Sequence, residues 1–467
     1  MADSNSVLGF SVVNYGDSSA VPPILPEGAV GTITDSNGAT PGLDLDKVYG
    51  LNSDVSVNWF PASDGSTGTS RLLIAQYNYG SDATVQVENT NTPSWLLIAG
   101  QRTWSGVHNV YGAATNAAQD HLYVIDYDNA ALAKITANGT ASPVTNGYPL
   151  DSVLNFPAFV NTVEGSTVFP PNSTSPAWQN NGVAITVVGS NLYALFTAVD
   201  NPWATTPNYA DSVVVRLTIG TGGALTYSAG DYKTVGKNAF TLEYYGGKLV
   251  VASVGGKQVD GAYNSNSAIH VITTGTGGSL KTADGASVAQ VLSASDVDDE
   301  FRSVAISNGG DVYLLTGHYS SGYADFSGLV YQTTMTNLIS GNPGSDIITI
   351  SEEEGFLWTL RYYNSTSGTT DRLWFAQGNA VGLYDTYTSG IPQVFLIPAD
   401  DLSSDTAPIR VHTPRHLNGI TLFGAGQPTL VSRGYQSPAF ASQSPEALVE
   451  RKKILEAAAK AKAAKKP

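Results

Sequence analysis

The carboxylates most suited to chemistry sit in two acidic clusters. DVDDEF (296–301) carries Asp296, Asp298 and Asp299, and SEEEGF (351–356) carries Glu352 and Glu353; each directly precedes an apolar run. Crowded carboxylates repel, and a hard cation such as Ca2+ or a basic partner segment relieves the repulsion. Neither cluster has the alternating oxygen ligands and distal Glu of an EF-hand, so Ca2+ is an expectation from charge alone. The same groups suit a second chemistry: Asp299 with Glu353 as an acid–base pair cleaving a glycosidic bond, with Tyr or His alongside. A third set of candidates is aromatic. Trp203, Tyr209, Tyr263, His318, Tyr319, Tyr323 and Phe326 lie beside Asp and Asn in long polar segments. Flat faces flanked by short polar groups are what a sugar ring or a peptide needs.

Other chemistries are excluded. The chain has no Cys, which removes disulfides, thiolate nucleophiles and Cys-ligated zinc or iron–sulfur sites. The histidines are scattered, and none lies in an H-E-x-x-H pattern. His412 and His416 are separated by Pro414, which argues against a helical metal pair. Phosphate-loop, dinucleotide and nucleophile-elbow motifs are missing.

These residues must be positioned by a repeated unit. Two apolar runs joined by a tight Gly/Asn turn recur as VAITVVGSNLYALFTA (183–198), FTLEYYGGKLVVASV (240–254) and SVAISNGGDVYLLTG (303–317). Each reads as a β-hairpin. A polar loop and a third strand follow each: SVVVRLT (212–218), SAIHVIT (267–273) and SGLVYQT (327–333). Second strands are expected from Arg71, His121, Asn191, Lys248, Asp311 and Arg372, a spacing of about 60 residues. The pattern resembles an all-β, single β-propeller. It is a generic resemblance: the WD dipeptide, the kelch double glycine and the sialidase Asp-box are missing.

The resemblance implies a propeller over residues 1–440, seven blades, and a last blade closed by strands from both chain ends. That last blade would be built from LGFSVVNY (8–15), GITLFG (419–424) and PTLVSRG (428–434). It also implies two faces. The loop entering an innermost strand and the loop between second and third strands share one face, and the tight turns occupy the other. Both acidic clusters and the long segments 198–212, 254–267 and 317–328 would then share the long-loop face. Residues 441–467 read differently: Ser444 as N-cap, Pro445, then Ala, Leu, Glu and Lys, a basic helix with Leu448, Ile454 and Leu455 as an apolar stripe for gripping a neighbouring copy.

Charge and composition bound the function. The net charge is −16, and only 13% of residues are charged. Seven basic against three acidic residues give the tail +4, which leaves −20 on residues 1–440. So acidic a body disfavours nucleic acid and anionic lipid. No run approaches the ~18 apolar residues of a membrane span, and MADSNSVLGF has neither the basic nor the apolar region of a secretory signal. Absent Cys, low charge density and the distinct tail favour a non-enzymatic extracellular or surface propeller. It would be a self-assembling subunit of a surface layer, appendage or virion, with other copies, a glycan or a surface molecule as partner. The alternatives are a polysaccharide-acting hydrolase or lyase with its site on the long-loop face, and a cytoplasmic interaction scaffold.

Overall fold

The computed structural model describes residues 7–14, 27–34, 42–51, 55–61, 70–76, 82–89, 102–136, 148–170, 178–200, 207–256, 261–307, 309–319, 326–350, 356–363, 372–378, 393–398, 409–412 and 416–423. They form seven antiparallel sheets. Innermost strand first, blade 1 is Val55–Pro61, Ser70–Gln76, Ala83–Asn89 and Arg102–Trp104. Blade 2 is Val110–Thr115, His121–Asp126, Ala131–Thr136 and Leu150–Asn155. Blade 3 is Trp178–Val188, Asn191–Asp200, Asp211–Ile219 and Tyr232–Lys237. Blade 4 is Ala239–Tyr245, Lys248–Ser253, Ala268–Thr273 and Ser287–Ser293. Blade 5 is Phe301–Ile306, Asp311–Thr316, Phe326–Thr334 and Ser345–Ile350. Blade 6 is Phe356–Tyr363, Arg372–Gly378, Gln393–Pro398 and Ile409–His412. In blade 7 the innermost strand is His416–Phe423, and Val7–Asn14, Glu27–Thr34 and Gly42–Leu51 complete it. First strands of successive blades pack side by side round the ring, and blade 7 meets blade 1. The chain is a seven-bladed β-propeller.

The second strands fall where the hairpin pattern places them. They read as nearly continuous apolar runs because a radial sheet is covered on both faces by its neighbours. Leu122 to Ile125 and Leu192 to Phe196 are fully buried or nearly so. Each such Leu, Ile or Val contributes about 1.5–3 kcal/mol. The two chain ends do meet in blade 7, whose two outer strands are Glu27–Thr34 and Gly42–Leu51. PTLVSRG (428–434) and the tail with Leu448, Ile454 and Leu455 lie outside the described residues.

Among the described residues, two α-helices depart from the strand pattern, a short one at Met335–Ile339 and a longer one. FPAFVNTVE (Phe156–Glu164) is a helix between blades 2 and 3, opened by Pro157 and closed by left-handed Gly165 (φ 62°). Phe156 and Val160 face inward, and the Phe156 ring stacks on Phe196 of blade 3 at 5.1 Å. Glu164 at its end accepts from Tyr227 Oη and from the Gly230 N–H.

Neighbouring blades are tied on both faces. On the tight-turn face, a GTGG turn between third and fourth strands recurs at 220–223 and 275–278. Tyr123 Oη donates to the Gly223 carbonyl (2.9 Å), and Tyr193 Oη donates to that of Gly278 (2.6 Å). Each bond joins a blade to the one before it. On the long-loop face, a serine opening a third strand receives the first N–H of the next blade. Ala239 N–H donates to Ser212 Oγ (3.1 Å) and Phe301 N–H to Ser267 Oγ (2.8 Å).

A further repeated feature places the site. In blades 2 to 7 the innermost strand carries a β-bulge, where the ladder register skips one residue: Tyr111, Val183, Phe240, Arg302, Trp358 and Asn418. Two positions earlier stand Asn109, Asn181, Asn238 and Glu300 in blades 2 to 5. All four are buried.

Candidate functional site

Blade 5 breaks this repeat. Blades 2, 3 and 4 pair an asparagine with an apolar bulge residue; blade 5 has Glu300 and Arg302. Both are buried, and Arg302 Nη2 meets Glu300 Oε2 at 2.6 Å. Glu300 Oε1 accepts the N–H of Asn264, from the long loop of blade 4, at 2.8 Å. Arg302 Nε donates to the carbonyl of Gly317 (2.8 Å), whose own N–H donates to the Glu300 carbonyl (2.9 Å). Burial pushes the Glu300 carboxyl above its ordinary range, and the Arg302 guanidinium pulls it back.

Next to this pair lies an acid–imidazole dyad. Asp299 Oδ1 meets His318 Nδ1 at 2.7 Å, and also accepts the Glu300 N–H at 2.8 Å. The Asp299 side chain is 8% exposed and that of His318 is 27% exposed. Burial raises the Asp299 pKa, opposed first by the His318 hydrogen bond. The Tyr263 ring stands edge-on to His318, with centroids 6.1 Å apart at 75°. Asp299 comes from the loop entering blade 5, His318 from the end of its second strand, and Tyr263 from the long loop of blade 4. The long-loop face thus gathers three segments far apart in the chain. An ionised Asp299 can only accept, so the Nδ1 proton belongs to His318 and Nε2 is left as a base.

Other expected site residues scatter. Asp296 turns back to cap its own turn, accepting from the Ser293 N–H (2.7 Å) and Ser293 Oγ (2.8 Å). Asp298 is exposed in a left-handed conformation (φ 52°). Among the described residues, no group of three His, Asp or Glu side chains converges as a metal site. Glu352 and Glu353 lie outside the described residues, and so do Trp203 and Tyr323. Tyr209 sits in a short strand paired with Val199–Asp200, and burial pushes its hydroxyl up to about 12. Tyr319 pairs in backbone register with Phe326 across the blade 5 loop. Asp299, Tyr263 and His318 are therefore brought together. Glu300, Arg302 and Asn264 were not anticipated.

Blade 2 shows a buried carboxylate with a different task. Asp126 accepts from the N–H groups of His108 (2.9 Å), Asn109 (3.0 Å) and Asp128 (3.1 Å) and from Asn129 Nδ2 (3.0 Å). Its oxygens bind two loops together through these N–H donors, whereas Asp299 is hydrogen-bonded to an imidazole.

The fold is shared with solved propellers. A protein from Lactobacillus plantarum superposes with a TM-score of 0.52 at 11% identity, over 90% of this chain and 99% of that one. A candidate 6-phosphogluconolactonase from Bacteroides fragilis superposes with a TM-score of 0.50 at 10% identity, over 91% and 100%. One from Bacteroides uniformis gives 0.49 at 11% identity, over 90% and 100%. The first two likenesses establish the propeller. No family model matches the chain, and no characterised protein matches it in sequence. The second carries the name of a candidate 6-phosphogluconolactonase, an enzyme, and not that of a surface-layer, appendage or virion subunit. The expectation of a non-enzymatic, self-assembling surface subunit is corrected on that finding. Low charge density and absent Cys are properties of composition and say nothing of the Asp299–His318 dyad.

Proposed function

We propose that the protein is a hydrolase of lactones or similarly activated carboxylic esters, with its site on the long-loop face at the junction of blades 4 and 5. The observation that carries this reading is the 2.7 Å contact between buried Asp299 and partly exposed His318. Asp299 holds the imidazole by Nδ1 and stabilises its charged form. Nε2 takes a proton from water as the oxygen attacks the carbonyl carbon. The ring C–O bond then breaks, and the imidazolium returns the proton to the departing oxygen. Tyr263 offers an aromatic wall beside the reacting group. The choice of lactone over glycoside rests on the name of a propeller that shares the fold and on the dyad being acid–imidazole rather than two carboxylates.

The test is hydrolysis of 6-phosphogluconolactone and glucono-δ-lactone followed by acid release. His318→Gln and Asp299→Asn should each lower kcat by about 10²–10⁴-fold, the range for positioned general-base catalysis. Wild-type turnover in both variants would end the proposal.

A further inference from the structure

Gly317, the residue before His318, is held at both of its backbone groups. Its N–H donates to the Glu300 carbonyl (2.9 Å), and its carbonyl receives Arg302 Nε (2.8 Å). Its φ of 155° is open to glycine and strained for other residues. Such a residue has no side chain with which to fix itself. The guanidinium that holds it is in turn set by Glu300 Oε2 at 2.6 Å, and Glu300 Oε1 by the Asn264 N–H at 2.8 Å. The Arg sits on a bulge, a backbone irregularity that re-aims one side chain out of ladder register. In blades 2, 3, 4 and 6 that position is Tyr111, Val183, Phe240 or Trp358, none of which could make two directed hydrogen bonds of this kind. A buried ion pair is costly to install and is weak evidence of stabilisation, so a positional role is the better account of it.

We infer that Arg302 and Glu300 are positioning residues: they clamp Gly317 and thereby aim His318 at Asp299. The inference rests on the hydrolase reading for its consequence in turnover, but the aim of the imidazole can be measured without any substrate.

The experiment uses the full chain with histidine labelled at its ring nitrogens. An Nδ1 proton donated to a carboxylate gives a downfield proton resonance, assigned here by its loss in His318→Gln. Arg302→Met takes the guanidinium partner from buried Glu300 and is prone to unfold, so the doubly neutral Glu300→Gln/Arg302→Met is made alongside it. In the folded variants the resonance should disappear or broaden, while kcat falls about 10–100-fold with KM within twofold, as for a group felt only in the transition state. Arg302→Lys should recover part of the loss, because an ammonium lacks the planar fork that reaches two acceptors at once. Combining Arg302→Met with His318→Gln should cost no more than His318→Gln alone. A folded double-neutral variant that keeps the resonance and full turnover overturns the inference. Loss of the resonance in a protein that hydrolyses neither lactones nor activated carboxylic esters would uphold the clamp and refute the hydrolase.

Discussion

Gly277 and Gly278 are adjacent, and the structure assigns them different costs. Both have left-handed φ, +67° and +82°. An added Cβ on Gly277 would meet nothing within 4 Å. On Gly278 it would lie 2.4 Å from Asn191 Nδ2 and 2.6 Å from Tyr193 Oη. Gly277→Ala therefore bears only the left-handed backbone, about 1 kcal/mol. Gly278→Ala bears the same and must also displace Tyr193, whose hydroxyl donates to the Gly278 carbonyl at 2.6 Å. Losing that hydrogen bond and stranding its buried partners adds about 1–3 kcal/mol. The expected difference is thus about 1–3 kcal/mol between two changes that are alike in sequence. Guanidinium unfolding followed by tryptophan fluorescence measures it, provided both variants keep the wild-type m-value. Lactone turnover at 25 °C should be unchanged in both, because the GTGG turns lie on the face away from Asp299 and His318. Equal destabilisation by the two substitutions would refute the claim that these turns dock blade on blade.

The remaining predictions concern the long-loop face. Removing Oγ in Ser267→Ala strands the Phe301 N–H and should cost about 1–3 kcal/mol; turnover should fall as well, since Phe301 directly follows Glu300. Ser212→Ala removes the equivalent acceptor of Ala239 (3.1 Å) and should cost similar stability with turnover intact, measured by the same denaturation and acid-release assays. Glu300 has a raised folded-state pKa, so the native state holds its proton at a higher pH than the unfolded chain does. Stability from this group is present at low pH and lost as pH rises through the folded value. The stability of wild type minus that of Glu300→Gln should therefore increase as pH drops from 7 toward the ordinary 4.5; a flat or decreasing difference in pH-resolved unfolding would contradict the buried, raised carboxyl.

The hairpins were legible because a strand covered on both faces must be apolar along its length and a tight turn needs glycine; His121, Asn191, Lys248 and Asp311 all open strands where the turns place them. Asp299 and Tyr263 were legible as loop residues on a common face. Asp296 was read with Asp299 as a ligand, yet its carboxylate spends itself on Ser293, a local bond that charge counting overlooks. The helix Phe156–Glu164 was hidden by its own composition: Phe156, Pro157, Phe159 and Val160 look like a short buried strand until Gly165 stops the turn. Glu300 and Arg302 were hidden for another reason. Two charges flanking a phenylalanine look like the rim of an acidic cluster. Only the bulge register, which aligns Arg302 with Tyr111, Val183 and Phe240, exposes a guanidinium standing where blades 2 to 4 keep an apolar group.

The seam of blade 7 has a consequence for synthesis on the ribosome. Strands Val7–Asn14, Glu27–Thr34 and Gly42–Leu51 are made before the other blades, yet the strand that seats them, His416–Phe423, is translated after blades 1 to 6. At about 5–20 residues per second, the earliest strands wait roughly twenty seconds to more than a minute for their partner. Blades 1 to 6 can assemble in order while that hairpin stays unpaired beside them. A nascent chain released before residue 416 should thus hold a stack of finished blades with an open gap, vulnerable to protease at its amino-terminal strands.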